Sequence, residues 1–159
     1  MPKKNRGKRI KSPKNRDIIN LNYPGFVCGQ DEDDILIEFG HITQHSNYSY
    51  NALEETNKTD TKAIDKLMKL LVLISSSTWT ELSHRNKKHL GGFETLSLSD
   101  FKAYVWEQLP ILLSEDVKLY VFRFGNEDKY RMIGYKSSHC RRVLHILAFD
   151  LDFSLYDHG

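Results

Sequence analysis

Apolar and polar positions change their period along this chain. Between Asp60 and Ser77, Ile64, Leu67, Met68 and Leu71 recur at i, i+3, i+4 and i+7, and apolar residues continue to Ile74. That spacing predicts a helix capped by Thr59 or Asp60, apolar on more than one side and broken by the serines at 75–77. Thr78 followed by Glu81 has the form of a capping box and predicts a short helix from Trp79 that stops before Gly91–Gly92. "SLSDFKAYVWEQLP" predicts another, with Ser97 or Ser99 as cap, Phe101, Val105 and Leu109 on one face, and Pro110 as the stop.

The last third has a different rhythm. "KLYVFRF", "YRMIGYK" and "RRVLHILAFD" are rich in β-branched and aromatic residues and are parted by "GNEDK" and "SSHC". Three such runs joined by short turns predict an antiparallel β-meander with helices against one face. Earlier, "GFVCGQDEDDILIEFGHIT" predicts two short strands around an acidic turn, the second from Ile35 to Phe39. "SNYSYNAL" adds a candidate third strand, and Glu54 to Asp60 reads as a polar connection. Strands, then helices, then strands, without strict alternation, predict an α+β fold. No repeat or Gly/Ser linker interrupts residues 17–159, so the division expected is a basic arm over 1–17 and a single α+β domain over 18–159.

Composition alters this picture mainly at the N-terminus. With 40% hydrophobic and 11% aromatic residues the body is expected to be globular. Lys3, Lys4, Arg6, Lys8, Arg9, Lys11, Lys14 and Arg16 fall in the first 16 residues without one acid. Removing those eight from 23 Lys+Arg leaves 15 against 21 Asp+Glu, so an arm of +8 precedes a body near −6. Such a segment repels itself and buries little, which predicts a disordered basic arm. It suits phosphates, each neutralised charge releasing a counterion, and the partner expected is RNA or the ribosome. The arm has no aromatic residue on which a base could stack, so the contact expected is electrostatic and sequence-independent. Folding back on the acidic body, or solvation without a partner, are the other readings of the same charge.

No apolar stretch approaches the roughly 20 residues of a membrane span, and no apolar segment follows the basic residues as it would in a secretory leader. A cytoplasmic location is the expectation. Cys28 and Cys140 form no CxxC pair, and in a reducing compartment two free thiols are expected. His139 beside Cys140 has the wrong spacing for a chelate, so neither a metal nor any other cofactor is expected. The run Asp31–Asp34 reads as a solvated turn, because consecutive acids do not converge on one ion. No P-loop, GxGxxG, GxSxG or HExxH pattern occurs. His84, Arg85, Lys87, Lys88 and His89 read as a solvated basic face near a helix end, or as a second phosphate contact.

Candidate chemistry lies in the meander. Strict alternation puts Val143, His145, Leu147 and Phe149 on one face of the last strand, and Leu144, Ile146, Ala148 and Asp150 on the other. His145 is then either a core histidine held by one hydrogen bond or a proton-transfer group whose pKa burial lowers. Arg123 and Arg131 reach a shared face if the register allows. With Tyr156 and His158 they would form a phosphate-binding and acid–base cluster; a solvated arginine pair with Glu127 or Asp128 is the alternative.

The run of three strands from Leu119, with a basic residue in the middle strand and the terminal "LY", resembles the C-terminal meander of the RelE/ParE-fold toxins. The resemblance covers about a quarter of the chain. It implies a compact α+β domain that engages RNA or the ribosome, cleaves mRNA without a metal, and pairs with an antitoxin or another complex subunit. It implies catalytic roles for Arg131 and Tyr156, to which His158 and His145 add acid–base groups, while Arg123 and the arm hold phosphate. The ending "FDLDFSLYDHG" is also similar to small proteins of bacteria and mobile elements. From a different class comes the alternative: a non-catalytic phage- or mobile-element-associated adaptor or inhibitor that binds nucleic acid or protein.

Overall fold

The computed structural model describes residues 31–125, 127 and 129–157. The basic arm, Cys28, the first of the two early strands and His158 lie outside the described residues. Five strands form one mixed sheet: β1 (Leu36–Glu38), β2 (Phe93–Ser97), β3 (Lys118–Phe124), β4 (Tyr130–Lys136) and β5 (Val143–Asp150), in the order β1-β5-β4-β3-β2. Four helices accompany them: α1 (Tyr50–Thr59), α2 (Ala63–Ser75), α3 (Trp79–Ser83) and α4 (Ala103–Trp106). The fold is α+β. The meander β3-β4-β5 is antiparallel throughout, and β1 joins its far edge parallel to β5, with Glu38 beside His145.

Helical period and burial agree in α2, where Ala63, Leu67, Leu70 and Ile74 are buried at steps of three and four. Fully burying a side chain the size of Leu70 or Ile74 contributes roughly 2 kcal/mol. Met68, placed on the apolar stripe by the spacing, is instead half exposed. The capping box of α3 forms as the sequence predicts: Glu81 N–H donates to Thr78 Oγ1 at 3.1 Å, and Thr78 N–H donates to Glu81 Oε2 at 2.8 Å. The helix ends at Ser83, however, well short of Gly91.

Helices α1, α2 and α3 pack against one face, and the other is covered by the segment before α1, the short α4 and the C-terminal segment. Against the first face pack Leu53, Leu67, Leu70, Ile74, Trp79 and Leu82, meeting Phe122, Phe124, Met132, Leu144, Ile146 and Phe149 from the strands. Against the second pack Tyr48, Phe101, Val105, Leu155 and Tyr156, meeting Leu119, Val121, Ile133, Leu147 and Ala148. A strand-rich protein with apolar residues on both strand faces needs two covers.

Three elements differ from the pattern-based expectation. The segment 50–59 is helix α1, neither strand nor connection; Leu53 is its one buried residue, so its periodicity is faint. β2 was not anticipated, and the helix expected after it shrinks to a 3-10 turn at Leu98–Asp100 and the four-residue α4. Cys140 is disulfide-bonded, which corrects the expectation of a free thiol there. It sits in the β4–β5 turn, its N–H held by Ser137 Oγ at 3.1 Å. Sequence spacing gives no information on what approaches that turn in space, and such bridges persist in oxidising surroundings. No helix among the described residues is long and apolar enough to cross a membrane.

The decisive irregularity lies in β5. Its register against β4 shifts at Ile133/Gly134: Gly134 pairs with Ile146, and Ile133 with Ala148. Leu147 is thus an extra residue, a β-bulge. Past it the alternation inverts, so Leu147 and Ala148 both join the second face while Phe149 returns to the first. The expected facing of Leu147 with Phe149, and of Ala148 with Ile146, is corrected by that one residue.

Candidate functional site

Two polar clusters form on the second face of the sheet, one at each end. At the end near the β4–β5 turn, strand pairing sets Glu38, His145 and Tyr135 side by side on β1, β5 and β4. His41 joins from the turn after β1, where Ile42 N–H donates to the Phe39 carbonyl and Thr43 N–H to the Leu147 carbonyl at 2.8 Å. His145 Nδ1 lies 2.7 Å from Glu38 Oε2; a carboxylate only accepts, so this nitrogen carries the proton. Tyr135 Oη lies 2.9 Å from His41 Nδ1, and His41 Nδ1 is 3.8 Å from Glu38 Oε2. The three rings are nearly parallel, with centroids 4.4 Å apart for His41–His145, 4.8 Å for Tyr135–His145 and 6.0 Å for His41–Tyr135.

The cluster is neither core nor free surface. The side chains of His145, His41 and Glu38 are 15%, 26% and 40% exposed. Burial pushes the His41 pKa down, and the neighbouring His145 adds to this against the opposing pull of Glu38. Burial alone would raise Glu38, but hydrogen bonds from His145 and the Gly40 N–H, with both histidines nearby, hold it below its ordinary value. Burial, reinforced by the Glu38 charge, raises the Tyr135 phenol. The arrangement therefore offers a neutral imidazole at His41, an ionised carboxylate, and a tautomer-fixed imidazole at His145.

At the opposite end Arg123 stands across from Arg131 in the β3–β4 register, and Arg131 across from Asp150 on β5. The shared face expected for the two arginines is observed, and Tyr156 joins it. Its environment is a buried one: Arg131 and Tyr156 are 5% and 6% exposed. Tyr156 Oη donates to Glu94 Oε1 at 3.1 Å, and Arg123 Nη2 lies 3.8 Å from the same oxygen. Arg131 donates to the Tyr130 carbonyl at 3.1 Å and lies over the Phe153 ring. Burial and the Glu94 charge push the Tyr156 phenol up to about 12, although Arg131 pulls the other way. These groups tie β2, β3, β4 and the C-terminal segment together.

An alkaline signature follows from that burial. Tyr48, buried and hydrogen-bonded to Ser154 and Tyr104, also has its pKa raised to about 12. A folded-state pKa above the unfolded value of 10.0 means that the protonated phenols favour the fold below pH 10. This stabilisation is lost as pH rises through about 12. Urea midpoints measured at pH 9, 10 and 11 should fall, and Tyr156→Phe should flatten the decline; an unchanged slope in that variant would show that the phenol is not involved.

Of the residues singled out by sequence, the structure brings Arg123, Arg131 and Tyr156 into one cluster and places His145 in the other. Lys3, Lys4, Arg6, Lys8, Arg9, Lys11, Lys14, Arg16 and His158 lie outside the described residues. Glu38, His41 and Tyr135 were missed. The strand pattern of residues 35–39 could have put Glu38 opposite Ile37, but no local signal pairs that strand with β5. No protein-family model, curated protein or solved structure matches this chain.

Proposed function

We propose that this protein engages RNA and cleaves it by proton transfer at the Glu38–His41–Tyr135–His145 cluster. One observation carries the reading: two stacked imidazoles, 4.4 Å apart, one held by a carboxylate, in a partly exposed cluster. Cleavage of an RNA strand without a bound cofactor needs one group to take the 2′-hydroxyl proton and another to protonate the departing 5′-oxygen. The 2′-oxygen bonds to phosphorus, the bond from phosphorus to the 5′-oxygen breaks, and a cyclic phosphate remains. His41, the neutral imidazole next to the Tyr135 hydroxyl, is positioned to take the 2′-hydroxyl proton; His145, whose Nδ1–H is held by the Glu38 carboxylate, carries a second proton on Nε2 and gives it to the departing 5′-oxygen.

The choice of RNA rests on the +8 charge of the first 16 residues and on the resemblance of the meander to RelE-like toxins. An antitoxin-like protein partner belongs to the same proposal. Of the two sequence readings of His145 this proposal takes proton transfer, and it gives Arg131 and Tyr156 a bracing role in the sheet.

The test uses purified, oxidised chain with ribosome-bound and free mRNA. His145→Ala is expected to lower cleavage by about 100-fold or more while retaining the fold by circular dichroism. Tyr156→Phe should stay within about threefold. Intact RNA with the unaltered chain would overturn the reading and leave the protein among binding modules.

A further inference from the structure

Three of these four side chains have a second property, which does not depend on RNA. We propose that Glu38, His41 and His145 form a binding site for one divalent cation of borderline softness, of the zinc type. One ligand atom from each lies within 4.8 Å of the other two. Ligand atoms about 2.1 Å from a tetrahedral ion stand about 3.4 Å apart, so closing the set requires movements of about 1.4 Å at most. The shortest leg, Glu38 Oε2 to His145 Nδ1, is already 2.7 Å, and the leg to His41 Nδ1 is 3.8 Å.

Donor chemistry selects the ion. Two imidazoles and one carboxylate suit zinc and its neighbours, whereas magnesium and calcium prefer oxygen ligands throughout. Three protein ligands leave a fourth position, as open zinc sites do. Tyr135 Oη, 2.9 Å from His41 Nδ1, stands beside that position as a further oxygen donor or as a hydrogen-bond partner for a bound water.

The surroundings permit closure. Glu38 and His145 sit on paired strands, so their backbones are fixed, but the Glu38 side chain is 40% exposed and can rotate. His41 is carried by a turn anchored at Thr43, to the Leu147 carbonyl through its N–H and to the Val105 carbonyl at 2.9 Å through its hydroxyl. A site of this kind spans three separate segments of the chain, so no HxxxH or CxxC spacing announces it. An ion held by His145 Nδ1 displaces the proton that Glu38 holds there, so zinc would inhibit cleavage rather than support it.

The experiment is calorimetric titration of Zn2+ into the untagged, full-length chain after chelator treatment, with Co2+ absorption as the geometric readout. One Zn2+ per chain is expected, with visible Co2+ bands of a four- or five-coordinate site, and Mg2+ should not compete. His41→Ala and His145→Ala should each weaken binding at least tenfold, and Glu38→Gln by about 10- to 100-fold, the size of effect seen when the ligand environment is perturbed. His84→Ala, which removes an exposed histidine elsewhere, should change nothing. Wild-type binding no tighter than that of a folded His41→Ala/His145→Ala double variant would overturn the site. The readout is binding alone, so RNA that stays intact would sink the cleavage proposal without touching this one, and absence of zinc binding would do the reverse.

Discussion

Gly134→Ala should destabilise the protein by about 2–3 kcal/mol and loosen the site along with it, because it overpacks a backbone contact. An alanine Cβ at this position would lie 2.5 Å from the His145 carbonyl oxygen and 2.9 Å from Leu144 Cδ1. The leucine end can rotate away, but the carbonyl is part of a central strand paired on both sides. Relief requires β4 and β5 to part at the bulge, where the facing of His145 is set relative to Leu147 and Ala148. The measurement is the urea midpoint together with the His145 ring signals in an NMR spectrum. A loss below about 0.5 kcal/mol with unshifted signals would mean that the strands accommodate the methyl group and that the bulge is not the constraint described.

Asp150→Ala should cost about 3–4 kcal/mol, the scale expected when a buried charge loses its counterpart. Asp150 is fully buried, and its carboxylate accepts the N–H of Ser154 at 3.0 Å and of Leu155 at 3.4 Å. Its cross-strand neighbour is Arg131, itself buried. Removing the carboxylate strips acceptors from two backbone donors and takes the negative charge away from a guanidinium that water cannot reach. Asp150→Asn keeps one acceptor and should lose less. Arg131→Met combined with Asp150→Leu should recover part of the loss, because a paired replacement leaves no lone charge. Equal losses in Asp150→Ala and the double variant would show that the two residues do not compensate one another.

The sequence was most informative where one face of an element had to be apolar. The meander, the core of α2 and the capping box of α3 are legible because each follows from local spacing. The second half of β5 was not legible: "RRVLHILAFD" is apolar on both faces, so one inserted residue leaves no trace in the pattern. Helix α1 was obscured by having a single buried residue, and β2 by partial exposure of Phe93, Glu94 and Leu96. The Arg123–Arg131 neighbourhood could be foreseen from alternation across a hairpin. The Glu38–His41–Tyr135–His145 cluster could not, because it depends on a parallel pairing between strands more than a hundred positions apart, and no nearby residue encodes it.

That separation has a consequence for the order in which the chain acquires its chemistry. Glu38 and His145 are 107 positions apart, and the strand carrying Glu38 is three residues long. Closing so long a loop is entropically costly, and so short a strand repays little of it until β5 is in place. The cluster is therefore expected to be among the last features to assemble. A ribosome that has not yet released residue 145 carries a nascent chain without it, and a chain truncated within β4 never completes it. Whatever this site does is withheld until β5 has been made.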